Sequence, residues 1–329
     1  MEQGMDQEAA QAAAPHPPCG TVHEGVPYAT PEQLAGELAE PLGAALEAGG
    51  PVVVAMEPDN RAALSAVLGP AASAVDWREL DEVHRVPPFT VATRWARLSR
   101  RTPRPEQRTT VVAQHSARLG LDLGHWARLD AALTVALAGL PVTMLCAYPE
   151  DGDLDLLRAT HPALRVGGAS VPTETVRDPL GVLSEFPPPP PSDLGPPVAE
   201  LAFTQATLSA ARRLVTQVSP AAGLDPERVA DLVLAVNEIA TNSAEHGPGA
   251  GRLRLWGGAG RVVAEVYDVG RMDVAFPGLV APPPSGERGR GLWLASELSD
   301  VLQVWSDVAG TTVRLVVETE AADRSAGAP

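Results

Sequence analysis

Residues 187–197, P-P-P-P-P-S-D-L-G-P-P, constrain this chain more firmly than any other stretch. Successive prolines offer no backbone N–H and hold φ near the polyproline value, so neither a helix nor a central strand passes through them. The segment is expected to run as an extended, semi-rigid spacer, although the same composition also fits an SH3-like ligand. The chain therefore divides into two folded parts. Its 329 residues and 45% hydrophobic content are enough to give each part a core.

Before the spacer, strand-like and helix-like patterns alternate. Residues 31–48 place Leu34, Leu38, Leu42 and Leu46 on one helical stripe, Val52-Val53-Val54-Ala55 reads as a fully buried strand, and 60–68 reads as another helix. Residues 111–114, a helix near 125–138 and a strand at 142–147 continue the rhythm. This predicts a three-layer α/β fold with a mostly parallel sheet. Residues 99–108, with four arginines and two prolines, read as an exposed loop, and residues 1–20 as a disordered tail.

After the spacer the decisive stretch is Asp225 to Gly247. Asp225 is placed to N-cap a helix, Pro226 suits its first position, and Glu227 complements the dipole. Apolar residues at 229, 232, 233, 236, 239 and 240 make a buried stripe, and Gly247-Pro248-Gly249 ends it. Glu238 and Asn242 stand at i and i+4 on another flank, with His246 a turn further. A carboxylate can orient or deprotonate a hydroxyl, and an amide oxygen can ligate a hard cation such as Mg2+. By itself such a pair also describes an ordinary solvated face.

Later stretches of the chain sharpen the choice. Residues 261–270, R-V-V-A-E-V-Y-D-V-G, are an apolar strand ending in Asp268-Val269-Gly270. Residues 286–292 read G-E-R-G-R-G-L, and after a further helix and strand comes Gly310-Thr311-Thr312. In that order and at those intervals these elements resemble the N box, G1 box, G2 box and terminal Gly-Thr element of the GHKL ATPases, closest in form to the anti-sigma-factor serine/threonine kinase branch. The resemblance implies a Bergerat-type two-layer α/β sandwich, with a mixed sheet and helices on one face, over residues 198–320, followed by a tail at 321–329. It implies ATP and Mg2+ as cofactors, Glu238 as general base and Asn242 as the Mg2+ ligand. It places Asp268 and Gly270 at the adenine and Gly289, Arg290, Gly291 and Leu292 beside the phosphates, with Thr311 or Thr312 completing the base contacts. A carboxylate accepts hydrogen bonds only, so it selects the adenine amino group over the guanine carbonyl. Met272 departs from the usual D-x-G-x-G, and the prolines of P-G-L-V-A-P-P-P-S-G-E stiffen the expected lid.

The first part resembles the MEDS sensory domain over residues 21–186. The matching stretches are H-E-G-V-P-Y at 23–28, E-A-G-G-P-V-V-V-A at 47–55, H-W-A-R-L-D at 125–130, L-C-A-Y at 145–148 and A-T-H-P at 159–162. This implies a ligand-sensing input domain for small molecules, with His23, Tyr28, Cys146 and His161 as pocket residues. Asp130 stands where the family's helix is expected to carry Glu. A buried cysteine with structural histidines explains the same residues without a ligand, and a His/Cys metal or redox site has no local spacing pattern in its favour.

Composition narrows the output. A formal net charge of −16 argues against direct nucleic-acid binding and against anionic membranes. All 25 basic residues are arginine, which excludes a Walker-type P-loop lysine. Two cysteines are too few for a disulfide framework, and no positively charged, apolar leader opens the chain, so a cytoplasmic protein is expected. The kinase branch implies a sigma factor or its antagonist as partner, and a homodimer. A sensor histidine kinase is the alternative, but no histidine lies between His161 and His246 to accept a phosphoryl group. A module that binds ATP without transferring phosphate is the other.

Overall fold

The computed structural model describes residues 20–101, 107–258, 260–282 and 290–319. Its first unit runs β1 (Val22–Tyr28), α1 (Pro31–Glu47), β2 (Val52–Ala55), α2 (Pro58–Leu68), β3 (Asp76–Arg78), α3 (Leu80–His84), α4 (Pro88–Arg100), β4 (Thr109–Gln114), α5 (Leu123–Ala136), β5 (Val142–Pro149), α6 (Leu154–Thr160), β6 (Ala163–Val166), β7 (Ala169–Pro172) and α7 (Pro179–Glu185). The seven-stranded sheet has the order β3-β2-β4-β5-β1-β6-β7. All its pairs are parallel except the β6–β7 hairpin, as the alternating pattern predicts.

Strands buried on both faces are apolar without alternation, and every residue of β2 and β4 is buried. One face of the sheet carries Val53, Val111, Met144, Cys146 and Tyr148 in a core shared with α4 and α5. The other carries Val26, Tyr28, Val54, Val112 and Leu145 against α1 and α2. A capping pair starts α1: Gln33 N–H donates to Thr30 Oγ1, and Ala29 N–H donates to Gln33 Oε1.

The arginine-rich stretch read as an exposed loop is partly helix. α4 continues to Arg100 with Ser99 buried, because its arginines have a neighbour to meet; residues 102–106 lie outside the described residues.

The second unit runs β8 (Ala199–Thr204), α8 (Leu208–Val218), α9 (Pro226–Glu245), β9 (Ala250–Gly258), β10 (Arg261–Asp268), α10 (Arg290–Leu298), β11 (Val301–Asp307) and β12 (Gly310–Glu318). Its sheet order is β11-β12-β10-β9-β8. A mixed sheet was expected, yet every pairing is antiparallel. The connections explain this. Two helices, α8 and α9, intervene between β8 and β9 and reverse the chain twice, whereas one crossover helix would leave the neighbours parallel. Among the described residues of this unit, the one single-helix crossover, through α10, joins β10 to β11, and β12 lies between those two. The helices pack on one face, burying Val236, Ile239, Ala264, Val266, Ala295 and Leu315 in one core.

The two units touch through α4. Arg97 donates to Ser296 O at 2.7 Å, Arg94 to Asp300 O at 3.3 Å, and Arg100 to Glu297 Oε1 at 3.1 Å. Phe89 faces Phe276 with ring centroids 5.7 Å apart, and Leu279 joins the first unit's core. The proline segment has no regular secondary structure and is anchored on both sides: Arg128 donates to Pro187 O and Trp256 Nε1 to Gly195 O. None of the described helices is long and apolar enough to cross a membrane.

Candidate nucleotide site and a buried histidine–cysteine cluster

The N terminus of α9 is built as its sequence reads: Asp225 Oδ1 accepts from Arg228 N–H at 2.9 Å, and Pro226 follows. Val229, Leu232, Val236, Ile239 and Ala240 are buried, which leaves Glu238 and Asn242 half-buried on the flank beside α10. His246 is exposed at the C-cap and takes no part in that flank.

Glycine brings α10 onto this pair. A β-carbon on Gly291 would lie 3.2 Å from Glu238 Oε2 and 3.0 Å from Asn242 Nδ2. Residues some fifty positions apart in the sequence thus meet where the amides of a helix start are unpaired and its dipole is positive. Arg290 is exposed at that start, and Leu292 packs against the second unit's core. Gly289 lies outside the described residues.

The other half of the site gathers at the end of β10. Asp268 Oδ1 accepts from Gly270 N–H at 2.7 Å, and a β-carbon on Gly270 would stand 2.8 Å from that oxygen and 3.2 Å from Pro248 just beyond α9. Gly310, at φ +145°, lets β12 begin beside Asp268, where a β-carbon would overlap the Asp268 carbonyl oxygen.

A one-way hydrogen-bond chain fixes the loop. Thr311 Oγ1 donates to Gly270 O at 2.9 Å; Ser306 Oγ, 2.9 Å from Thr311 Oγ1, then donates to it and accepts from Met272 N–H at 3.0 Å. Strand alternation separates the two threonines: Thr311 shares the helix-covered face with Val313 and Leu315, while Thr312 points with Arg314 to the other. Thr312 is therefore not brought to the site. Ser306 was not anticipated from the sequence; its only signal is its place in β11 opposite Thr311.

In the first unit, three of the four expected pocket residues converge. His23, Cys146 and His161 lie with Asp130, one ligand atom from each falling within 4.8 Å of the others, and all four residues are buried. Tyr28 does not join them. It lies on the opposite sheet face, hydrogen-bonded to Asn60 and Gln114.

Burial, helped by the neighbouring His161, lowers the His23 pKa to about 3, and burial also lowers that of His161. Burial pushes the Cys146 thiol well up. For Asp130 burial acts the other way, but His115 and His161 beside it and a hydrogen bond from Tyr148 hold the carboxyl below the usual carboxylate range. Asp130 was not singled out as a pocket residue, although a lone acid among Ala127, Leu129, Ala131, Ala132 and Leu133 is a readable signal.

Comparison with known proteins bears on the second unit. Residues 201–317 match the family model described as the histidine kinase-like ATPase domain. No curated protein matches the chain. Among solved structures, the RsbU and RsbW domains of Rv1364c from Mycobacterium tuberculosis are 23% identical over 37% of this chain and 32% of that one, at a TM-score of 0.28. The chain thus spans about a third of that relative. With Glu238, Asn242 and Gly291 together and Asp268, Gly270 and Thr311 beyond them, residues 201–317 form a histidine kinase-like ATPase domain.

Proposed function

We propose that this chain is a signalling protein in which the first unit senses a small molecule and controls ATP binding and phosphoryl transfer by the second, acting as a serine/threonine kinase of the anti-sigma regulatory type. The observation that carries the nucleotide reading is the contact of Gly291 with Glu238 and Asn242. It joins a cation-ligating amide, a carboxylate and a glycine-opened helix start, which together suit a metal-bound triphosphate. Asn242 would hold Mg2+, which supplies charge neutralisation at the phosphates. Glu238 would take the hydroxyl proton of a protein substrate, since phosphoryl transfer asks mainly for positioning and charge stabilisation. Asp268 would accept from the adenine amino group once its carboxylate turns from Gly270 N–H, with Thr311 holding the loop. The partner would be a sigma factor or its antagonist, the second protomer of a homodimer would be another copy of this chain, and the protein would act in the cytoplasm.

A second reading, ATP binding without transfer, is favoured by the packing of the segment after Met272. Phe276 meets Phe89, and Leu279 is 2% exposed within the first unit's core, which restrains a lid. Calorimetry with Mg-ATP on the wild type, Asp268→Asn and Asn242→Ala, alongside labelled-phosphate transfer to co-purified proteins, separates the readings. Loss of binding in Asp268→Asn, with transfer to a serine or threonine that needs Glu238, supports the kinase. Binding without transfer supports the second reading, and wild-type protein that binds no nucleotide overturns both.

A further inference from the structure

We propose that His23, Asp130, Cys146 and His161 bind a tetrahedral late transition-metal ion, Zn2+ in the first instance, inside the first unit. This rests on no part of the nucleotide reading. The four residues come from four elements or their ends: β1, α5, β5 and the end of α6. Gly25, which pairs with Cys146 in the sheet, makes this possible, because a β-carbon there would collide with Leu157 and hold α6 and His161 away.

The donor atoms are set in advance. His161 Nδ1 faces the Leu157 carbonyl at 3.0 Å, which can only accept, so Nδ1 carries the proton and the Nε2 lone pair is free. That Nε2 has no hydrogen-bond partner, although His161 is 0% exposed. Thr134 Oγ1 gives its hydrogen to Asp130 O at 3.1 Å and so accepts from His23 Nδ1, 3.2 Å away. His23 therefore turns a bare Nε2 to Cys146 Sγ at 3.5 Å.

A ring nitrogen left bare while its partner N–H is held by a carbonyl or hydroxyl is the arrangement of metal-bound histidine. Asp130 Oδ2 accepts from Tyr148 and lies 3.1 Å from Thr160 Oγ1, while Oδ1 faces His115 Nε2 at 3.3 Å. An unpaired ring nitrogen buried beside a carboxylate and a thiol is costly unless a cation meets it.

Size and chemistry agree with zinc. Bonds of about 2.0–2.3 Å place tetrahedral ligand atoms roughly 3.3–3.8 Å apart. The His23–Cys146 pair already has that spacing, and the 4.8 Å outer limit asks for a contraction of about 1 Å. Two imidazoles, a thiolate and a carboxylate form a borderline-soft set suited to Zn2+, not to Mg2+ or Ca2+. On binding, the S–H bond breaks, a metal–sulfur bond forms, and the proton leaves to solvent. A disulfide is not the alternative, since Cys146 has no cysteine beside it among the described residues.

The test uses the full chain purified under reducing conditions, loaded with Zn2+ or, as a spectroscopic probe, Co2+. Expected are about one ion per chain by elemental analysis, the ligand-field bands of tetrahedral cobalt and a thiolate-to-cobalt charge-transfer band. Cys146→Ser should lose the charge-transfer band and Cys19→Ser should keep it. Thr134→Val, which frees the His23 ring, should weaken binding about 10-fold. Wild-type protein that takes up no Zn2+ and gives no tetrahedral cobalt spectrum overturns the proposal without recourse to any variant. A charge-transfer band that follows Cys19 and not Cys146 overturns it equally.

Discussion

At the scale of single residues, two glycines of the second unit separate binding from folding. A β-carbon on Gly310 would overlap the backbone carbonyl of Asp268 at φ +145°, so Gly310→Ala should cost about 2–4 kcal/mol, read as a lower denaturation midpoint. Gly291→Ala meets only the ends of two side chains. It should leave the midpoint within about 0.5 kcal/mol while weakening Mg-ATP binding at least about 10-fold. Equal destabilisation by the two would mean that Gly291 is a packing glycine and not part of a site. Buried histidines give a pH signature as well. Burial lowers the pKa of His84 to about 3 and that of His125 to about 4 from 6.5, so the unfolded chain takes up protons first as pH falls. Stability from these groups is fully present above pH 6.5 and is lost on acidification towards pH 4, by at most about 1.4 kcal/mol per pH unit for each. Denaturant midpoints that stay flat across that window would contradict their burial as neutral rings. Legibility at this scale followed geometry. Glu238 and Asn242 were readable because i and i+4 fix a shared helix flank. Tyr28 was misplaced because it lies an odd number of residues from His23 on one strand and so faces the other core.

Among elements, α10 carries the most. Its first turn rests on Glu238 and Asn242, and its last turn presents the Ser296 carbonyl to Arg97, with Arg94 on Asp300 O just beyond it, where cations are favoured by the helix dipole. Arg97 also pairs with Glu297 at 3.5 Å, both side chains being about a fifth exposed. A double-mutant cycle of Arg97→Ala and Glu297→Ala should give a coupling of about 1 kcal/mol, above that of an exposed pair. A coupling indistinguishable from zero would reduce the contact to chance proximity. The start and end of α9 were legible from its capping residues, its apolar stripe and Gly247-Pro248-Gly249. The pairing of the second sheet was not, because β12 inserts between β10 and β11, the two strands that the single helix α10 would otherwise leave as parallel neighbours. The loop read at 99–108 overlaps the end of α4, because the arginines and prolines there said nothing of the second unit that Arg97 and Arg100 meet.

For the whole molecule, the proline segment marked the boundary between two sheets, but its composition said nothing of whether they act as one body. Phe89, Thr90, Arg94, Arg97 and Arg100 of α4 reach the second unit, Phe276 and Leu279 reach back into the first, and the segment between is pinned at Pro187 and Gly195. Contacts of this kind make the stability of each unit depend on the other. The full chain should therefore unfold in a single calorimetric transition whose van't Hoff and calorimetric enthalpies agree. Replacing Arg94, Arg97 and Arg100 together by alanine removes the charged contacts of the junction and leaves each core intact, so the transition should split in two. The member that shifts with added Mg-ATP then identifies the second unit, because a ligand stabilises only the unit that binds it. Two transitions in the wild type would show instead that the junction is too weak to couple the units. On the proposed reading, a signal from the first unit would then have to reach the nucleotide site by a route other than α4 and α10, because coupling between sites requires a shared element whose two states both of them bias.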